Sequence, residues 1–101
     1  MAEWSFFTNH ARALVCIAND PQMRLRDIAS TLGITERSAF GIVTDLSSAG
    51  YVVKDKDGRR NRYQIQYHLP LPETVDMHRT VGEALALLVD SEEDRAFRKR
   101  A

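Results

Sequence analysis

The sequence predicts an α+β domain: a three-helix core, a β-hairpin, and an additional C-terminal helix. Two observations carry this. Apolar residues recur at helical spacing as far as Leu46, and after Gly50 the period switches from 3.6 to 2. The chain has 101 residues, enough for one modest core.

Thr8 or Asn9 suits the cap of a first helix running to about Asn19. Ala11, Leu14, Val15 and Ala18 form its apolar stripe, with Ile17 widening it, and Asn19-Asp20-Pro21 stops it. Cys16 lies within this helix and is expected to behave as a small apolar residue. Ahead of it, Trp4, Phe6 and Phe7 are expected to pack on the C-terminal helix of the same chain or on a second subunit.

A second helix is predicted from Arg26 to Leu32, with Ile28, Ala29 and Leu32 on one face. Gly33 follows, where a left-handed cap is wanted, and Ile34 packs under the turn. Thr35 suits the N-cap of a third helix, and Glu36 in its first turn complements the helix dipole. Ala39, Ile42, Val43 and Leu46 fall at i, i+3, i+4 and i+7, one buried stripe. Gly50 ends this helix.

Beyond Gly50, Tyr51-Val52-Val53 supplies one strand. Tyr63, Ile65 and Tyr67 alternate with Arg62, Gln64 and Gln66 to make the other, apolar on one face. Asp57-Gly58 is the turn signal between them. Lys54, Lys56, Arg59, Arg60 and Arg62 outnumber Asp55 and Asp57, a net of +3 in a chain whose formal charge is zero.

His68-Leu69-Pro70-Leu71-Pro72 reads as extended chain. From about Glu73 a last helix is predicted, with Thr74 as its cap. Met77, Val81, Leu85 and Leu88 make its stripe, Ala84 fills the same face, and Leu87 and Val89 fall off it. A helix apolar on more than one side calls for two coverings, here the N-terminal region and a second copy of the chain. The expected organisation is therefore a functional unit over 1–69, a dimerisation helix over 70–90, and a flexible tail over 91–101, with Trp4, Phe7, Met77, Val81, Leu85 and Leu88 at the dimer interface.

The stretch from Leu25 to Tyr67 resembles the winged helix-turn-helix of bacterial and archaeal transcription regulators of the MarR and ArsR groups. The residues that carry the resemblance are Leu25-Arg26-Asp27-Ile28-Ala29, Leu32-Gly33-Ile34-Thr35, Leu46 with Ala49-Gly50-Tyr51-Val52, and Asp57-Gly58-Arg59-Arg60 with Tyr63. It implies double-stranded DNA as the partner, a homodimer, and a recognition helix in the major groove. It also implies a wing on the backbone or the neighbouring minor groove. The recognition-helix residues are then Thr35, Glu36, Arg37, Ser38, Phe40, Gly41 and Thr44. The wing residues are Lys54, Lys56, Arg59, Arg60 and Arg62, with Arg60 and Arg62 two apart on a strand and so on one side. A short third strand at Met23-Arg24-Leu25, on the edge of the wing sheet, is also implied. Two positions depart from the usual pattern: Phe40 and Gly41 stand where polar or basic residues are common. Phe40 suits a thymine methyl or a contact with another protein. The alternative function is accordingly a winged-helix protein-interaction module without sequence-specific DNA binding.

Other chemistries find little support. Fourteen basic residues balance fourteen acidic ones, so any attraction to phosphate is local. His10, His68 and His78 are dispersed, and no phosphate loop, nucleophile elbow or metal-binding helix motif appears, so no enzyme, metal or cofactor is expected. A single cysteine allows no internal disulfide and fits a reducing cytoplasm. No apolar run reaches the ~20 residues that span a bilayer, and the first residues lack a signal-peptide pattern, so the expected location is cytoplasmic. A small-molecule effector, if one exists, has only the helix seams to occupy.

Overall fold

The computed structural model describes residues 5–58, 60–72 and 78–88, the side chains of Asp57 and Arg60 excepted. Its elements run α1 (Asn9–Asn19), α2 (Leu25–Leu32), α3 (Glu36–Ser48), β1 (Val52–Asp57), β2 (Arg60–Ile65) and α4 (Val81–Ala86). This is a winged helix-turn-helix with one further helix at its C-terminal side.

Thr8 caps α1 by accepting a hydrogen bond from the Ala11 N–H. The buried side of α1 is Ala13, Leu14, Cys16 and Ile17, rotated from the expected stripe; Ala11, Val15 and Ala18 are only half-buried. The reason is position. The helix touches α2, α3, β2 and α4, so its packed surface is set by several neighbours rather than one.

The α2–α3 turn follows the sequence closely. Gly33 is left-handed at φ 72, and its N–H and that of Ile34 close the end of α2 on the Ser30 and Ala29 carbonyls. Thr35 then caps α3 by accepting from the Ser38 N–H at 3.1 Å. Ala39, Ile42, Val43 and Leu46 are all buried, and Ile28, Ala29 and Leu32 of α2 meet them in one core. Ile17, Ile28 and Val52 are its largest fully buried side chains. Each such residue contributes roughly 1.5–3 kcal/mol of burial.

The sheet has two strands, antiparallel, with Val52 opposite Ile65 and Asp57 opposite Arg60. Three expectations change here. No third strand forms at Met23-Arg24-Leu25, because Leu25 already opens α2; instead the Tyr63 N–H of β2 donates to the Pro21 carbonyl at 2.9 Å. The turn sits one residue later than the Asp-Gly signal: Asp57 pairs with Arg60, and Gly58, at φ 68, takes the first of the two loop positions. Tyr67 lies beyond the end of β2 and is 51% exposed, so only Tyr63 and Ile65 hold the apolar face in the core.

The C-terminal helix also starts later than expected. His78 has φ 43 and Arg79 lies in a strap, its carbonyl accepting from the Leu71 N–H, so a continuous helix from Glu73 does not form. Thr80 and Glu83 build a capping box, and α4 begins at Val81. The Val81 and Gly82 N–H groups donate to the Leu69 and Tyr67 carbonyls at 2.8 and 2.9 Å, clasping the helix start to the chain leaving β2. The Tyr51 hydroxyl donates to the Pro70 carbonyl at 2.9 Å and holds that strap down. Val81 and Leu85 are buried in the core that α1, α2, α3 and the hairpin share. The expected cap at Thr74 and the tail over 91–101 fall outside the described residues.

Candidate nucleic-acid interface

The outer face of α3 follows from the same arithmetic as its inner one. Arg37, Phe40, Gly41 and Thr44 repeat the i, i+3, i+4, i+7 spacing of the buried stripe, two residues earlier, which is about 200° around the helix. All four are exposed, Phe40 at 60%. Glu36 and Ser38 flank them in the first turn, also exposed. The Thr35 hydroxyl donates to Ser38 Oγ at 3.0 Å while accepting the Ser38 N–H, so the cap fixes both side chains. The Ser38 hydroxyl proton then points its donor capacity elsewhere.

Gly41 has no neighbour within 4 Å of where a Cβ would stand, and its backbone is ordinary helix. Nothing inside the fold asks for glycine there.

His10 is not merely a solvated surface histidine. Its Nε2 lies 2.8 Å from Asp45 Oδ2, tying the start of α1 to the C-terminal half of α3. Both side chains are largely exposed, so the pair contributes at most about 1 kcal/mol to stability. Its effect is to orient α3 against α1 and to engage one of the three carboxylates on the helix-turn-helix half.

The hairpin register sorts the wing charges by face, which composition alone does not. Cross-strand partners share a face. Asp55 is opposite Arg62 and Asp57 opposite Arg60, on the side of exposed Val53 and Gln64. Each arginine position on that side thus has an aspartate across from it. Lys54 is opposite Tyr63 and Lys56 opposite Asn61, on the side that holds Val52 and Ile65 in the core. Both lysines are exposed, because the hairpin runs on past the core. Among the described side chains this face carries two positive charges and no acid, whereas on the other Asp55 stands across from Arg62. Arg59 lies outside the described residues.

Elsewhere α1 and the end of α2, with Phe7 before α1 and Leu88 beyond α4, line an open groove of about 260 Å³, its walls including Arg12, Val15, Cys16 and Leu32. Burial raises the Cys16 thiol above its ordinary 9.0, with Arg12 pulling weakly the other way, so it stays protonated at neutral pH. Phe7 is 48% exposed, Leu87 87% exposed and Leu88 half-buried. Of the other expected interface residues, Val81 and Leu85 are 2% and 4% exposed and packed in the chain's own core, so they do not face a second copy, and Trp4 and Met77 lie outside the described residues. Among the described residues no group of three or more His, Cys, Asp or Glu is placed to hold a metal ion, and no helix is long and apolar enough to cross a membrane.

No protein-family model matches the chain, and no curated protein matches it. Among solved structures it is similar to the crystal structure of the zinc-dependent MarR family transcriptional regulator AdcR in the Zn(II)-bound state. The two are 15% identical over 98% of this chain and 73% of that one, with a TM-score of 0.48. What makes this chain a winged helix-turn-helix is its own order of parts: α2, the Gly33 turn, the capped α3 and the hairpin that follows it.

Proposed function

We propose that the chain is a dimeric DNA-binding transcription regulator, with α3 in the major groove and the wing on the backbone or the adjoining minor groove. The observation that carries this is the wing register: a hairpin anchored by Val52, Tyr63 and Ile65 presents Lys54 and Lys56 on one acid-free face beside an exposed, side-chain-capped α3. Phosphate contacts fix register and orientation, and base-edge contacts read sequence. In this reading the wing supplies the first and Arg37, Ser38, Phe40 and Thr44 the second. The protein works in the cytoplasm, where its DNA is. In this proposal residues 1–69 form the DNA-binding unit, and the second copy is met through 70–90.

The helix-turn-helix half is neutral, with Arg24, Arg26 and Arg37 set against Asp27, Glu36 and Asp45. Wing contacts therefore carry most of the affinity. Each phosphate neutralised contributes about −0.9 to the slope of log affinity against log salt. Replacing Lys54 and Lys56 together by alanine flattens that slope by up to roughly 2 per protomer on any duplex. Arg62→Ala has the smaller effect, since Asp55 faces it. Fluorescence anisotropy across a salt series measures both. Unchanged affinity and slope in the double variant leave the hairpin without a phosphate role and favour the second reading, a protein-interaction module. The observation on that side is Phe40, an aromatic ring 60% exposed on a neutral helix face.

A further inference from the structure

We infer that, among the base-reading side chains of α3, Phe40 selects thymine, by contact with its C5-methyl group in the major groove. The inference rests on the DNA-binding reading and names what that reading leaves open, the base that α3 distinguishes.

The argument begins with what the fold does not explain. Phe40 is 60% exposed and Gly41 beside it has open space where a Cβ would stand. A helical glycine costs about 1 kcal/mol relative to alanine, and a solvated phenyl ring gains nothing by being there. Both residues fall on the face opposite the buried stripe of α3, so both are placed for something outside the chain. Gly41 lets a surface approach the helix axis more closely than any side chain would. Phe40, one residue away, then meets that surface with an apolar ring.

The neighbours decide the chemistry of that surface. Arg37 lies one turn before Phe40 and Thr44 one turn after it, both exposed, so the ring is flanked by hydrogen-bonding groups rather than by further apolar ones. A protein interface core is fully buried and more apolar than the surface around it, and α3 exposes no large apolar residue besides Phe40. The floor of the major groove instead offers isolated methyl groups among donors and acceptors, and thymine is the base pair partner that carries one.

The test uses the whole chain and a duplex selected by it from a random pool, resynthesised with deoxyuridine at every thymine. Uracil keeps the pairing and the O4 acceptor and removes only the methyl. Wild type loses about fourfold in affinity per contacted methyl on the uracil duplex, the equivalent of ~0.8 kcal/mol per buried carbon. Phe40→Ala binds both forms alike, and Phe40→Leu keeps part of the preference. Thermal unfolding verifies that each variant folds, as an exposed position allows. If wild type binds neither duplex at low salt, DNA binding itself is overturned and this inference with it. If wild type binds both forms equally, or Phe40→Ala keeps the preference, DNA binding stands and the role of Phe40 is overturned.

Discussion

Gly41 and Gly82 both stand in helices, but an added methyl meets different surroundings at each. At Gly41 it meets nothing within 4 Å. Gly41→Ala therefore stabilises the fold by about 0.5–1 kcal/mol through helix propensity alone. At Gly82 it meets the Tyr67 carbonyl oxygen at 3.0 Å and the Tyr67 Cβ at 3.1 Å. That carbonyl cannot retreat freely, since it accepts the Gly82 N–H. Overpacking of this kind costs typically 1–3 kcal/mol, which outweighs the propensity gain. Gly82→Ala thus lowers the melting temperature by several degrees while Gly41→Ala raises it, in the range of about 4–8 °C per kcal/mol for a domain of this size. Differential scanning calorimetry separates the two. In the proposed complex the same Gly41→Ala protein, though more stable, binds duplex DNA less tightly in fluorescence anisotropy, because its methyl holds the groove away from the helix.

At the scale of elements, α4 is short and its capping box matters accordingly. Glu83 accepts from Arg79 at 2.7 Å and from the Thr80 N–H at 3.1 Å, and these contacts, Arg79 first, hold its carboxyl below the ordinary 4.5. A depressed carboxylate contributes stability above its unfolded-state value and loses it as pH falls through the folded-state value. Wild type is therefore more stable than Glu83→Gln near neutrality, and the difference closes as pH falls below the ordinary 4.5 and through the lower folded-state value. Thermal melts of both proteins across that window measure it; a gap that persists at low pH excludes the ionised contact as its source.

The elements that sequence patterns made legible are those whose signals are local. Gly33, Thr35 and the stripe of Ala39, Ile42, Val43 and Leu46 act within one or two turns, and each stands where periodicity and capping put it. The packed side of α1 differs from its apolar stripe because four other elements press on that helix, and no local period encodes them. The start of α4 is hidden in the pattern because the apolar spacing of Val81, Leu85 and Leu88 reads smoothly back to Met77. The Thr80-x-x-Glu83 cap was the better signal. The candidate interface was half legible. Arginine counts pointed to Arg60 and Arg62, but charge compensation is a property of cross-strand register, which follows from where the turn falls.

For the whole molecule, the open question of assembly turns on which apolar groups remain outside. Leu85 is only 4% exposed, so Leu85→Asp disrupts the core before it reports on any dimer. Leu87, at 87% exposed, is the position to change. In the proposed dimer, Leu87→Asp yields folded monomers by light scattering at a concentration where wild type is dimeric. A wild type already monomeric at micromolar concentration removes the dimer from the proposal.

The bond between Tyr63 and Pro21 bears on how molecules stay apart. A two-stranded sheet has two outer edges, each a template on which another chain can add. On the β2 side the Tyr63 N–H is taken by a proline carbonyl, and proline has no N–H to return. The loop therefore closes this ladder position and cannot itself continue the ladder. On the β1 side the Asp55 carboxylate accepts the Lys56 N–H at 2.9 Å, so a side chain occupies a donor that a foreign strand would need. An imino acid on one flank and a carboxylate on the other keep a small, exposed hairpin from becoming the seed of an intermolecular sheet, which leaves it free to act as a wing.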